Sequence, residues 1–215
     1  MSIEIKKSIK PVKYDLAINY LEYRVKEIIS KKSEKELIWF LEHPSIFTGG
    51  SSFKKYDILD NSIKITKTSR GGKITWHGPG QLVCYFVIDL NKRKRDIRSF
   101  ISIIEKSLII FLNKYNIYGL TFKERVGIWV NKVNNKKLLK EEKIGAIGLR
   151  LKKWITFHGL SFNINPDLEY YKYINACGLV GYNNTSLKKL GFEISAKEFD
   201  EKFCKIFLDE LNNFN

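Results

Sequence analysis

The sequence predicts a mixed α/β domain, and three observations carry that prediction. Two segments repeat apolar residues at helical spacing, a third opens on a helix-capping signal, and short runs rich in Ile, Val, Phe and Tyr lie between them and read as strands. No internal repeat, low-complexity tract or long linker divides the chain. With 215 residues and 44% hydrophobic content it can bury a sizeable core in one domain, 1–215. A small C-terminal subdomain is expected over about residues 184–215.

Tyr14, Ala17, Ile18, Leu21, Val25, Ile28 and Ile29 follow the i, i+3, i+4, i+7 rule and predict a core-packing helix from about Tyr14 to Lys31. Leu37 to Leu41 (LIWFL) reads as a buried strand that leaves its sheet at His43-Pro44, and FTGGSS follows as a glycine-containing loop. Strands are expected at Ile63–Thr66 and Leu82–Ile88. They bracket RGGKITWHGPGQLVCY, Arg70 to Tyr85, in which five of sixteen residues are Gly or Pro. Gly71 and Gly72 permit positive φ and close approach of a ligand. A loop that keeps Arg70, His77 and Gln81 amid so much glycine reads as a ligand surface.

Asp96 is placed to cap a helix with Ile97, Phe100, Ile101, Ile104, Leu108, Phe111 and Leu112 on its buried face, after a solvated basic connection, NKRKR. Short strands are then expected around Leu120–Phe122, Gly127–Val130, Lys143–Leu149, Trp154–Phe157 and Ser161–Ile164. Asn134-Asn135 forms a hairpin tip and the Lys/Glu-rich segment after it is exposed. Asn175 to Gly181 is a loop around Cys177. Ser195-Ala-Lys-Glu198 is a capping box opening a last helix with Phe199, Phe203, Ile206 and Phe207 inside.

Composition narrows the function classes. The N-terminal residues carry no apolar h-region or transit-peptide character and no stretch reaches membrane-spanning length, so a cytoplasmic protein with no membrane partner is expected. Three cysteines without a C-x-x-C pair, and three histidines without metal-ligand spacing, argue against a disulfide framework and against a local metal site. The formal net charge of +15 invites a nucleic-acid reading. However, only seven of the 38 basic residues are Arg and the lysines are dispersed, so no nucleic-acid partner is expected. Such a surface speeds encounter with an acidic partner. Phosphate-cradling loops and G-x-S-x-G are absent, so neither ATP use nor a serine hydrolase is indicated.

Among the cysteines, Cys84 and Cys204 lie within apolar strand and helix patterns and read as packed small hydrophobes. Cys177 sits in a Gly-flanked loop, where a thiol is accessible and a backbone N–H can face an oxyanion. A cysteine nucleophile needs a neighbouring cation or base, and His77, His158 and Lys143 are the candidates. Lys143 begins the apolar strand KIGAIGLR, where its charge is partly desolvated. A surface lysine and hydrogen-bonded structural histidines remain the alternative readings of the same residues.

Five ordered blocks, FLEHPSIFTGG, RGGKITWHGPGQLVCY, RVGIWV, KIGAIGLRLKKWITFHGLSFNINPDL and INACG, resemble the octanoyltransferases of lipoate biosynthesis, the lipoyl(octanoyl) transferases, from about Leu37 to Gly181. The resemblance implies the fold of the biotin- and lipoate-protein ligase catalytic domains, a mixed sheet flanked by helices. It implies transfer of an octanoyl group from octanoyl-acyl carrier protein to a lysine of a lipoyl domain or of the glycine-cleavage H protein. The enzyme is expected to act as a monomer, with no cofactor beyond the carrier's phosphopantetheine and no metal. Cys177 is implied as the acyl-thioester nucleophile and Lys143 as the residue that lowers the pKa of its thiol. Acyl binding is implied for Arg70, Gly71, Gly72, Lys73, Ile74, Thr75, Trp76 and His77, for Ala146, Ile147 and Gly148, and for Gly159, Leu160 and Ser161. Leu160, Ile147 and Trp76 would offer apolar contact to the chain. Ala176 stands where the family has Pro, and Trp76 where it has Tyr. The same fold also serves ATP-dependent lipoate- and biotin-protein ligases, which is the competing reading.

Overall fold

A computed structural model describes residues 2–179 and 181–214. Eleven strands and three α-helices follow in chain order: β1 (Ile3–Lys7), α1 (Tyr14–Ile29), β2 (Glu36–Leu41), β3 (Ile46–Gly49), β4 (Ile65–Lys67), β5 (Ile74–His77), β6 (Gln81–Val87), α2 (Ile97–Asn113), β7 (Ile117–Leu120), β8 (Ile128–Val133), β9 (Lys136–Lys152), β10 (Ile155–Asn163), β11 (Asn183–Asn184) and α3 (Ala196–Asn212). The large sheet runs β1-β2-β6-β10-β9-β8-β7, with β11 paired to β9, and a three-stranded sheet runs β4-β3-β5.

Helices cover both faces of the large sheet because its central strands are apolar on both. Along β6, Leu82, Cys84 and Phe86 enter one core with α2 and α3, while Val83, Tyr85 and Val87 enter a second core with α1. This is the two-residue alternation of a strand, doubled by burial on each side. The helix α3 brings Phe199, Phe203 and Phe207 into the first core beside Phe40 and Phe86.

Side-chain capping explains where α2 and α3 start. Asp96 accepts from the N–H groups of Arg98 and Ser99 at α2, and Ser195 Oγ from Glu198 N at α3. The expected reciprocal half of that box is absent: Glu198 receives Tyr115 Oη and Lys202 Nζ instead. Asn134 and Asn135 take φ of 44° and 65° and close the β8–β9 hairpin as expected.

Several expectations need correction. FTGG contributes to a strand, β3, because Phe47 packs with Ile74 and Trp76 under the small sheet. The glycine-rich stretch 70–85 holds β5 in its middle. The Lys/Glu-rich segment after the hairpin is exposed at Lys136, Lys137, Leu139 and Lys140, yet it is the first half of β9. The two strands expected around 154–164 are one, β10, and Trp154 belongs to the preceding turn with Lys153, at φ of 64° and 49°. The side chain of Arg93, in the NKRKR run, is 7% exposed, its two terminal nitrogens donating to Glu36 at 2.6 and 2.7 Å. A bidentate pair removes that cation from solvent. β1 had no expectation; its Ile-x-Ile pattern lies in a segment otherwise rich in Lys.

Candidate active site

A cavity of about 210 Å³ opens on the α1 side of the sheet, over β6, β10 and β9. The loop at 70–73 forms one rim and is pinned from two directions. Gly71 N donates to Leu149 O at the edge of β9, while Gly50 N, Ser51 N and Ser52 N donate to Lys73 O, Arg70 O and Gly72 O. A Cβ on Gly50 would stand 2.4 Å from Gly72 O, so only glycine lets these two segments meet. Arg70 reaches back with Nη2 to Thr48 O at 2.7 Å and Oγ1 at 2.8 Å. Burial pushes its guanidinium down from its ordinary range, but it remains a buried cation at the cavity wall.

Lys143 and Cys177 meet beside this cavity. Lys143 is buried on β9, paired with Trp129 of β8 on one edge and with Asn184 of β11 on the other. Its Nζ donates to Val126 O at 2.9 Å and to Cys177 Sγ at 3.0 Å. Gly127 makes room for that ammonium: a Cβ there would lie 2.5 Å from Lys143 Cε and 2.5 Å from Gly145 O, and its φ is 131°. Cys177 occupies a 3₁₀ turn, Ala176–Gly178, with φ 57° and ψ 15°. The left-handed backbone is an uncommon, costly conformation for a residue with a side chain, and it presents Sγ toward Lys143. The N–H groups of Gly178 and Leu179 close the turn on Asn175 O and Ala176 O, so those two donors are engaged. Val180, in the same loop, lies outside the described residues.

Most of the expected acyl-binding residues line the cavity: Arg70, Gly71, Gly72, Lys73, Thr75, His77, Ala146, Ile147, Gly148, Gly159, Leu160 and Ser161, together with Cys177. Ile74 and Trp76 do not. Alternation along β5 turns Thr75 and His77 to the cavity and Ile74 and Trp76 to the opposite face, where they pack with Phe47 and Ile174. The indole of Trp76 stacks on Tyr170, centroids 4.5 Å apart, and donates to Ser45 Oγ. Its expected contact with the acyl chain is therefore replaced by a packing role, and the side chains of Leu160 and Ile147, paired with each other and with Cys84 across the sheet, likewise enter the core with α2 and α3.

The three histidines are buried. His77 Nδ1 lies 2.7 Å from Gln81 Oε1, and Gln81 Nε2 donates to Asn163 Oδ1 and Tyr171 Oη. With the amide nitrogen committed, Nδ1 carries the proton and Nε2 is the free acceptor. Burial first, then the neighbouring His43 and Arg70, lower the pKa of His77 to about 3. His43 spans Val12 O and Tyr85 Oη at 2.6 and 2.7 Å and is lowered by burial to about 4. His158 is lowered to about 3 by burial, then by Arg70 and Arg150. All three are neutral at neutral pH, which leaves the ammonium of Lys143 as the cation touching Sγ.

Several wall residues had no expected part in acyl binding: Tyr14, Leu179 and the segment Glu124–Val126, while Val83 and Tyr85 stand at the end of the stretch expected to form a ligand surface. The block RVGIWV contained Arg125 and Val126 without a chemical reason for them. Arg125 shows what that segment does. Its guanidinium lies 3.7, 4.5 and 4.6 Å from the rings of Phe122, Trp129 and Tyr182, joining β8, its preceding loop and the cysteine loop around Lys143. Among the described residues no cluster of three or more His, Cys, Asp or Glu suits a metal ion, and no helix is long and apolar enough to cross a membrane.

Comparison with known proteins adds to this geometry. Residues 13–208 match the family described as the lipoyl protein ligase A/B catalytic domain. The chain is 41% identical to an octanoyltransferase of Bartonella tribocorum over 214 residues, covering 95% of this chain and 87% of that protein. Its structure is similar to that of lipoate-protein ligase A bound with ATP, with TM-score 0.69, 15% identity, and coverage of 99% of this chain and 86% of the other. It is also similar to the biotin protein ligase of Aquifex aeolicus in complex with biotin and ATP, with TM-score 0.56, 14% identity and coverage of 99% and 71%. The mixed α/β fold of the lipoate and biotin ligase catalytic domains, expected from the sequence, is the fold found.

Proposed function

Since the chain belongs to the octanoyltransferases of the lipoyl protein ligase A/B catalytic-domain family, and is thus an acyltransferase of lipoate biosynthesis, we propose that it works through a Cys177 acyl-thioester. The observation that carries this reading is the 3.0 Å contact between Lys143 Nζ and Cys177 Sγ at the wall of a cavity. In the proposed cycle, Cys177 as thiolate, held by Lys143, attacks the carbonyl carbon of octanoyl-acyl carrier protein. A new C–S bond forms and the bond to pantetheine sulfur breaks. The departing pantetheine thiolate takes a proton from Lys143.

The acceptor lysine, from a lipoyl domain or the glycine-cleavage H protein, then attacks the same carbonyl. A C–N bond forms, Cys177 leaves as thiolate, and the amine proton passes to the now neutral Lys143, which restores the starting pair. Thioester exchange conserves bond type and the amide-forming step is downhill, so the cycle needs no nucleotide. The walls formed by Gly71, Gly72, Ala146, Gly148, Gly159 and Ser161 leave room for a straight alkyl chain, while Arg70, Lys73, Thr75 and His77 supply the polar rim. The reaction belongs to the cytoplasm, and the basic surface favours acidic carrier and lipoyl domains.

Incubation with octanoyl-acyl carrier protein should give an octanoyl adduct on Cys177 by mass spectrometry. An adduct that persists in Cys177→Ala overturns the assignment. ATP–pyrophosphate exchange dependent on octanoate would point instead to the ligase chemistry of the same fold.

A further inference from the structure

The far end of the cavity carries costs that packing does not explain. β10 serves as a ruler along the cavity: Cys177 lies among Ser161, Ala146 and Lys143, and His158, three residues before Ser161 on the same strand, also lines the cavity. From Ser161 to His158 the strand advances three residues, roughly 10 Å at the usual rise. An extended octanoyl chain built from single bonds of about 1.5 Å reaches roughly 9 Å beyond its carbonyl carbon.

His158 sits within a continuous strand, yet its φ is 61°. Its Nε2 is 3.4 Å from Ser69 Oγ, and its buried Nδ1 meets no hydrogen-bond partner among the described residues. Tyr14, 6% exposed at the start of α1, lines the same cavity. Its Oη faces Thr68 and Arg70 without meeting a partner in hydrogen-bond geometry among the described residues. A left-handed backbone and an unmet buried nitrogen in one residue point to a role for the ring where it stands. The rings around it are packed against one another. His158 stacks on Phe157 at 5.0 Å, Tyr85 meets its edge at 6.3 Å, and Tyr14 is braced by His77 at 6.1 Å.

We propose that His158 and Tyr14 are the end-stop that sets acyl length, their rings closing the cavity about one octanoyl chain away from Cys177. The proposal rests on the acyl-thioester reading above. A longer chain must displace a braced ring or leave methylenes outside the apolar walls. Glycine suits the test at His158, because it removes the ring and accepts the positive φ without strain. Tyr14→Ala opens the same end from α1.

The experiment compares initial rates of Cys177 adduct formation from octanoyl-, decanoyl- and dodecanoyl-acyl carrier protein, with folding verified by denaturation. In His158→Gly and in Tyr14→Ala the dodecanoyl-to-octanoyl ratio should rise at least about tenfold, the discrimination expected of even one methylene. Unchanged ratios in both variants, or a wild-type protein that accepts dodecanoyl as readily as octanoyl, overturn the end-stop. If His158→Gly fails to fold, the ratio in Tyr14→Ala decides. Absence of any Cys177 adduct in the wild-type protein removes the underlying acyl-enzyme reading instead, an outcome distinct from a lost length preference.

Discussion

Replacing Lys143 by methionine removes the ammonium and keeps most of the stem, so it isolates what the charge does for Cys177. In the native protein Nζ is 3.0 Å from Sγ, 2.9 Å from Val126 O and 5.4 Å from the centre of the Trp129 ring, in a residue 4% exposed. A hydrogen bond to a charged group is worth about 1.5–3 kcal/mol net. At about 1.4 kcal/mol per factor of ten, losing it should slow thiolate-dependent alkylation of Cys177 at neutral pH by about ten- to a hundredfold. The assay is the alkylation rate of each cysteine, resolved by peptide mass spectrometry. Cys84 and Cys204 are internal controls, because burial pushes both thiols up and shields them. Global stability should change little, since a buried ammonium is itself costly to desolvate and methionine fills the space. An unchanged Cys177 rate refutes the role given to Lys143. A fall accompanied by equal labelling of Cys84 and Cys204 would trace the effect to unfolding.

Other perturbations follow from particular contacts. Gly127→Ala should depress Cys177 alkylation by about tenfold, as the new Cβ overlaps Lys143 Cε and strains a φ of 131°; wild-type reactivity would deny the ammonium's dependence on that gap. His77→Ala should slow octanoyl transfer by about tenfold without abolishing the covalent adduct, because it strips one hydrogen bond from the Gln81 network and no reacting atom; single-turnover kinetics separate the two steps. Trp76→Ala should lower stability in denaturant by about 3–5 kcal/mol while leaving the octanoyl-to-decanoyl preference as it is, since the ring packs on Tyr170 away from the cavity. Asp200 gives a pH dependence. Burial raises its carboxyl from the ordinary 3.8 to about 7, only partly offset by Lys7 Nζ at 3.8 Å. Below about pH 4 both folded and unfolded chains hold the proton; between there and pH 7 the unfolded chain releases it first, so stability falls as pH rises and levels above 7. Asp200→Asn should flatten that fall, which we place at about 2 kcal/mol after screening, and an unaltered pH profile of the denaturant midpoint would contradict it.

What the chain determines locally was legible in its sequence. Helical spacing located α1 and α2, Asp96 and Ser195 marked where α2 and α3 begin, and Asn134-Asn135 set the β8–β9 turn, because each depends on a few neighbouring residues. The ordered blocks pointed to Cys177 and Lys143, and the glycine-rich stretch to residues that line the cavity. The tertiary structure decided which of those residues meet. Lys143 and Cys177 are 34 positions apart and touch because β11 pairs with β9 next to the cysteine turn. Ile74 and Trp76 leave the cavity because β5 pairs with β3, a strand hidden in FTGG, and pairing fixes which face each alternate side chain takes. Tyr14 joins the site from a helix that reads only as a packing element, and His158 turns toward it through a left-handed backbone inside a strand. Facing is a property of partners distant in the chain, so local pattern supplies the elements and only their packing assigns the walls.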